Sequence, residues 1–134
     1  MRKISANYIF PVTGKPLKNG ILIVDKEGTI VDVIDTGGNL KEEENLEFYN
    51  GILVPGFFNA FCDFEELKTI SANQPEISVN ELLSWAILIG AKALKMDKTL
   101  GSFEKGKKPG INLIENFDFK KMRLTGNSTV RALV

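Results

Sequence analysis

The chain has 134 residues, of which 43% are hydrophobic and 25% charged, a composition typical of one globular domain with its own core. Its 17 basic and 17 acidic side chains balance, so no strong field attracts nucleic acid or an anionic membrane. Histidine is absent, which removes the usual general base, the Ser–His and Cys–His nucleophile pairs and the commonest zinc ligand.

The single cysteine, Cys62, cannot form an internal disulfide. The first residues carry charge but lack the apolar region of a signal peptide, and no apolar run reaches the length of a membrane span. We therefore expect a cytoplasmic protein that binds neither nucleic acid nor membranes.

The first 55 residues predict β-structure. Lys3–Phe10 is expected to form a strand with Ile4, Tyr8 and Phe10 on one face. Asp25-Lys26-Glu27-Gly28 predicts a hairpin turn, because Gly28 can adopt positive φ. Lys41–Asn45 is expected to be a solvated loop or one helical turn. The remaining predicted strands are Ile21–Val24, Thr29–Ile34, Leu46–Tyr49 and Ile52–Val54.

Two helices are predicted in the middle of the chain. The first covers 63–73, with Asp63 as N-cap and Glu65 and Glu66 near the positive helix start. The second runs from the capping box Ser78-Val79-Asn80-Glu81 to near Met96, with Ile77 positioned to pack on Leu82. Its section 85–89 is apolar on every side and therefore favours complete burial, with Trp85 as a core anchor.

The last third of the chain returns to turn and strand patterns. A turn-rich connection over 100–110 precedes three predicted strands, Ile111–Ile114, Met122–Leu124 and Thr129–Val134. Segregated strands and helices indicate the α+β class. We predict a single domain over 1–134. A small, mostly antiparallel β-sandwich or half-barrel would come from 1–55 and 100–134, with the helical insert 63–97 covering one face.

Two stretches of this sequence resemble the amidohydrolase superfamily, metal-dependent hydrolases that include guanine deaminase and chlorohydrolase-type enzymes. Residues 51–60, GILVPGFFNA, are similar to the family segment that leads into the catalytic barrel. Residues 90–94, GAKAL, and 100–114, LGSFEKGKKPGINLI, are similar to the segment that follows the barrel and re-enters a small β domain. The hairpin over 21–34 also fits the first strands of that family.

The resemblance implies that the catalytic part of the family is missing. A (β/α)8 barrel of about 250 residues separates the two segments in the family, whereas a short helical stretch joins them here. The metal-binding His-x-His pattern of the family falls on Phe61 and Asp63. We therefore predict no TIM barrel, no catalytic residue, no metal site and no cofactor.

Apolar residues stand where relatives of this type often carry polar ones facing the barrel. This chain has Ile87-Leu88-Ile89 before Gly90-Ala91, and Phe57, Phe58 and Phe61 on the other side of the junction. Such replacements would close the core, which favours an engineered deletion, with natural gene shrinkage as the alternative. The expected function is a non-catalytic scaffold. The alternative is an interaction module that forms a homodimer through Trp85, Ile87, Leu88 and Ile89.

The remaining polar groups of the sequence also have plain structural interpretations. Asp63, Glu65 and Glu66 could supply oxygen ligands to a hard cation, but a helix start explains them as well. Cys62 has no imidazole to activate it. Asp25 and Glu27 fit a turn, and Lys92 and Lys95 fit a helix C-terminus. Gly101-x-x-x-x-Gly106-Lys107 lacks the Ser or Thr of a phosphate loop, and Lys105–Lys108 is expected to be solvated.

Overall fold

The computed structural model describes residues 1–40, 44–56 and 64–134, with Ile89 described by its backbone alone. Five of the described strands precede the helical segments in the chain, and two follow them. The strands are β1 (Arg2–Ile9), β2 (Leu17–Lys18), β3 (Ile21–Val24), β4 (Ile30–Ile34), β5 (Leu46–Pro55), β6 (Ile111–Glu115) and β7 (Thr129–Ala132). The helices are α1 (Phe64–Asn73), α2 (Val79–Leu83), a π-helical segment (Ser84–Ile89) and α3 (Gly90–Ala93).

All seven strands belong to one mixed sheet with the order β4-β3-β1-β5-β6-β7, and β2 pairs with β1. Within the described part of the chain, β1 with β5 is the parallel pair and the other pairs are antiparallel. Strands from both chain ends meet where β5 pairs with β6. The α+β class and the mostly antiparallel sheet built from both chain ends are thus confirmed, and no closed barrel occurs among these strands.

The sheet curves enough to bring distant strands together. The backbone of Ile30 in β4 exchanges two hydrogen bonds with Gly106 and Lys107, in the loop before β6. Residues from β3, β4 and β6 consequently share one apolar cluster, here called the sheet-side cluster: Ile4, Ala6, Ile9, Leu22, Val24, Ile30, Leu53, Phe103, Ile111 and Leu113. This curvature produces the small sandwich-like layering that the sequence predicted.

The helices pack on a second apolar cluster, here called the helix-side cluster. It joins side chains of α1, α2 and the π-helical segment to strands β5 and β6. Its members are Phe10, Val12, Ile52, Val54, Leu67, Val79, Leu82, Leu83, Ala86, Ile87, Ile114, Phe117 and Leu124. No described helix is long and apolar enough to cross a membrane.

A bulge changes two predictions for the N-terminal strands. The register of β1 against β5 shifts between Ala6↔Tyr49 and Tyr8↔Ile52, so Asn50 and Gly51 together face Asn7. Leu46–Tyr49 and Ile52–Val54 therefore form one strand and not two. The prediction that Ile4 shares a face with Tyr8 and Phe10 is also wrong. Ile4 belongs to the sheet-side cluster, and the other two pack in the helix-side cluster.

The predicted strand Met122–Leu124 does not form. Met122 has φ +53°, a left-handed conformation that interrupts an extended chain, and only an isolated bridge joins Asp118 to Arg123. The Arg123 side chain instead donates to the carbonyl oxygens of Ser71 and Pro75 (2.6 Å for Pro75). It thereby satisfies acceptors at the C-terminal end of α1.

Candidate interaction groove

A groove of about 400 Å³ separates α1 from the start of the second helical segment. Its walls come from these two segments and from the chain that joins them. It is lined by Ile70, Gln74, Ile77, Glu81, Leu82 and Trp85. We call it the Trp85 groove. A second groove of about 360 Å³, lined by Glu65, Glu66, Thr69 and Ile70, adjoins it at Ile70.

The capping box positions one wall of the Trp85 groove. The Ser78 hydroxyl oxygen accepts from the Glu81 backbone N–H at 3.1 Å, as predicted, and donates to Glu81 Oε1 at 3.1 Å. The carboxylate thus bonds the hydroxyl and not the backbone N–H of residue 78 that the sequence pattern favours. Ile77 packs against the helix-side cluster beside Leu82. This arrangement holds the Glu81 side chain at the groove.

Trp85 is not the core anchor that the sequence predicted. Its side chain is 46% exposed and lines the groove, whereas Ala86 and Ile87 are buried in the helix-side cluster. The π-helical segment over Ser84–Ile89 explains the difference. A π-helical turn contains an extra residue, so it rotates the side chains away from the positions that a regular α-helix would give them. The helix that was expected to run to Met96 also ends earlier, at Ala93.

The four residues of the predicted homodimer face occupy different environments. Trp85 is exposed, Leu88 is half-buried against the helix-side cluster, and Ile87 is fully buried. Ile87 therefore contributes to the core and not to an outer face. The side chain of Ile89 lies outside the described residues.

The residues that the sequence resemblance places at the entry to a barrel lie outside the described ranges. These are Phe57, Phe58, Phe61, Cys62 and Asp63. Glu65 and Glu66 are exposed in the first turn of α1, and Glu65 pairs with Lys68 at 3.2 Å. Across residues 1–40, 44–56 and 64–134, no three His, Cys, Asp or Glu side chains come together as a metal site requires.

Asp25 and Glu27 form the predicted turn. Asp25 Oδ1 accepts from the backbone N–H groups of Thr29 and Glu27, at 3.0 and 2.9 Å. The Thr29 bond is the main reason that the pKa of Asp25 lies below its usual value. Gly28 has φ +88°, which the turn needs and which only glycine adopts readily.

Lys92 and Lys95 are exposed near the end of the helical segment, as expected.

The loop before β6 contains a polar network that the sequence did not predict. Lys107 Nζ donates to Ser102 Oγ at 2.8 Å and to Leu100 O at 3.4 Å, and lies 3.0 Å from Glu104 Oε1. The Ser102 hydroxyl donates to Glu104 Oε1 at 2.6 Å. This bond is the main reason that the pKa of Glu104 lies below its usual value, and the Lys107 bond lowers it further. Lys107 is therefore a largely buried part of this network and not solvated.

A second charged cluster joins β1 to β5. Both oxygens of the Glu47 carboxylate accept from Arg2 at 2.9 Å, and Oε1 also accepts from the Tyr49 hydroxyl at 2.9 Å. The Arg2 bonds are the main cause of the lowered pKa of Glu47, and the bond to Glu47 raises the pKa of Tyr49. Only the contact between the two strands brings these groups together.

Comparison with known proteins does not establish the family. No family profile matches the sequence, and neither does any curated protein. The crystal structure of A. niger ochratoxinase aligns with 56% of this chain at 19% identity and a TM-score of 0.32. The structure of an amidohydrolase from Brucella melitensis aligns with 75% of it at 15% identity and a TM-score of 0.37.

The chain spans 20% of the length of each of these two structures. These likenesses are too weak to transfer any activity.

Proposed function

We propose that this chain is a non-catalytic scaffold related to the small β domain of the amidohydrolase superfamily. The observation that carries the proposal is the direct pairing of β5 with β6, from Ile52↔Ile114 to Pro55↔Ile111. These two strands contain parts of the sequence segments that flank the catalytic barrel in the family. Their pairing supports a fold that is complete without that barrel.

The helices cover the face of the sheet that would otherwise be open, as a self-contained scaffold requires. Leu67 of α1, Leu83 of α2 and Ile87 of the π-helical segment are fully buried in the same cluster as Ile52 and Ile114. Burial of apolar area contributes about 25 cal/mol per Å², so closing this face stabilises the isolated domain. A chain with such a core can fold without a catalytic domain beside it.

The titratable groups support the same proposal. The carboxyl groups whose pKa values are shifted in the described part of the chain are Asp25, Glu47 and Glu104, and hydrogen-bond donors lower all three. None of them lines the Trp85 groove or the groove beside it. A general acid or base usually lies in a cleft with its pKa moved toward neutrality, and these groups do neither.

Metal content and turnover test the scaffold proposal. We expect protein purified without chelator to contain far less than one zinc ion per chain. We also expect no hydrolysis of amide, deaminase or chloro-triazine substrates above the buffer rate, before or after incubation with zinc. One tightly held zinc per chain, with turnover that a chelator abolishes, would contradict the proposal.

The origin of the scaffold is part of the same proposal. Ile87 and Leu88 fill the helix-side cluster at positions that the sequence resemblance assigns to a barrel-facing surface. This supports loss of a barrel followed by repacking, with engineering as the favoured route. A natural genomic locus that lacks barrel-coding sequence would instead identify gene shrinkage.

A homodimeric interaction module is the second candidate function. The observation in its favour is the exposure of Trp85, because a large apolar side chain at the surface often marks an interface. Sedimentation velocity across a wide dilution series tests it. A dimer that dissociates on dilution and is weakened by Trp85→Lys supports the module, and a monomer at every concentration removes it.

A further inference from the structure

We propose that the Trp85 groove binds an organic ammonium ion with an apolar body, such as a phenylalkyl ammonium. This inference goes beyond the scaffold function, since it assigns a ligand class to a groove that neither catalysis nor the sequence resemblance explains. It rests on the lining of the groove, on its charge and on the exposure of its aromatic wall.

The floor and one wall of the groove are suited to an apolar body. Ile70, Ile77 and Leu82 line it, and all three also pack with the helix-side cluster. The volume of about 400 Å³ lies within the range of pockets for small organic ligands. A groove of this size holds one compact molecule and is small for a protein interface.

Trp85 provides the wall that distinguishes a cation from a neutral ligand. Trp85 is 46% exposed and lines the groove, and it belongs to the π-helical segment. Tryptophan is the aromatic side chain that attracts an ammonium ion most strongly over its face. Segments of π-helix are also rare and occur frequently at functional sites.

The charge of the groove favours a cation. Glu81 is the one charged residue among those that line it, and neither Lys nor Arg is among them. The Ser78 hydroxyl orients this carboxylate through Oε1. Glu65 and Glu66 line the adjoining groove, where Lys68 pairs with Glu65, whereas Glu81 is the carboxylate that lines the Trp85 groove itself. An anionic ligand would be repelled here, and a neutral one would leave the carboxylate without a cationic partner.

The single tryptophan of the chain makes this proposal directly measurable. Titration with 4-phenylbutyltrimethylammonium should change the Trp85 fluorescence, and calorimetry should give the same affinity. The neutral probe 4-phenylbutanol should bind about tenfold more weakly, because it lacks the ion-pair and cation–π contributions. The anionic probe 4-phenylbutyrate should bind more weakly still.

Glu81→Gln tests the role of the carboxylate. Glutamine keeps the capping-box pattern, so the helix start should remain intact. We expect this variant to bind the cation about fivefold more weakly and the neutral probe unchanged. Glu27→Gln is the matched control, since it removes the same charge from the β3–β4 turn, which does not line the groove, and it should leave both affinities unchanged.

Three results would overturn the proposal. The first is equal binding of the three probes to the unmodified chain, a comparison that needs no variant. The second is unchanged cation affinity in folded Glu81→Gln protein. The third is a homodimer that occupies the groove and excludes the cation at all protein concentrations, in which case a second copy is its occupant.

Discussion

Lys107 shows how one side chain can differ from what its sequence context indicates. It lies in a run of lysines and glycines that predicts a solvated loop, yet its side chain is only 13% exposed. The ammonium group has three oxygen partners: Ser102 Oγ, Leu100 O and Glu104 Oε1. Its neighbour Lys105 is 72% exposed and forms a long pair with Asp32 at 3.5 Å. The two lysines therefore provide a matched comparison.

We expect Lys107→Met to lower the free energy of unfolding by about 2 kcal/mol, because it leaves the buried Ser102 hydroxyl and the Glu104 carboxylate without their cationic partner. Lys105→Met should change it by less than about 0.5 kcal/mol, as is typical of exposed ion pairs. Urea denaturation followed by circular dichroism measures both. Equal effects of the two substitutions would show that the network does not stabilise the loop.

At the scale of elements, the bulge in β5 decides how the two apolar clusters are divided. Gly51 has φ +142°, and a Cβ built on it would lie 2.3 Å from the carbonyl oxygen of Ile114 in β6. Its backbone N–H donates to Asn7 Oδ1 at 2.7 Å, which fastens the bulge to β1. The strand can therefore make its register shift only with glycine at this position.

Gly51→Ala should destabilise the fold by about 3 kcal/mol or more, because it combines an unfavourable φ with a clash against backbone that cannot move freely. Gly126→Ala is the control, since a Cβ there meets nothing within 4 Å. We expect the control to change stability by less than about 1 kcal/mol. Thermal unfolding of the three proteins compares them, and a mild effect at Gly51 would argue against the bulge.

At the scale of the whole molecule, the absence of histidine predicts how stability depends on pH. Glu47 and Glu104 have pKa values below their usual 4.5, so the folded state favours their charged forms. The stability that they contribute is present above that value and is lost as the pH falls through their folded pKa values. Tyr49 has a pKa above its usual 10.0, so its contribution is lost as the pH rises beyond that value.

We therefore expect the free energy of unfolding to stay nearly constant from about pH 5.5 to 7.5, where no histidine titrates. It should decrease as the pH falls below about 4.5. Urea denaturation at a series of pH values measures this profile. Glu47→Gln should flatten the acid decline, and Glu27→Gln should leave it unchanged. A clear transition near pH 6.5 in the unmodified chain would contradict this expectation.

Much of the fold could be predicted because its signals are local. The β3–β4 hairpin follows from the Asp25 side chain, which accepts a hydrogen bond from the backbone of Thr29, and from the positive φ of Gly28. Both interactions lie within four residues of chain. The helix start at Ser78 follows from a hydroxyl and an N–H three residues apart. The bounds of α1 were predicted to within one residue, although its predicted N-cap, Asp63, lies outside the described ranges.

The candidate groove could not be predicted in the same way, because its walls come from two helical segments whose orientation depends on packing. Trp85 is a large apolar residue in the most apolar stretch of its helix, so the sequence favours a place in the core. The π-helical segment nevertheless leaves Trp85 exposed, while Ile87 is buried. Likewise, Met122–Leu124 has strand propensity, but Arg123 instead satisfies the carbonyl groups of α1.

The sequence by itself therefore determined the α+β class, the hairpin, the helix start at Ser78 and the absence of any imidazole chemistry, since each depends on composition or on interactions between near neighbours. Only the tertiary structure decided the strand order, the division of β1 between two apolar clusters, the burial of Lys107 and the exposure of Trp85. These depend on contacts between residues far apart in the chain, where burial and hydrogen bonding outweigh the small free-energy differences of local propensity.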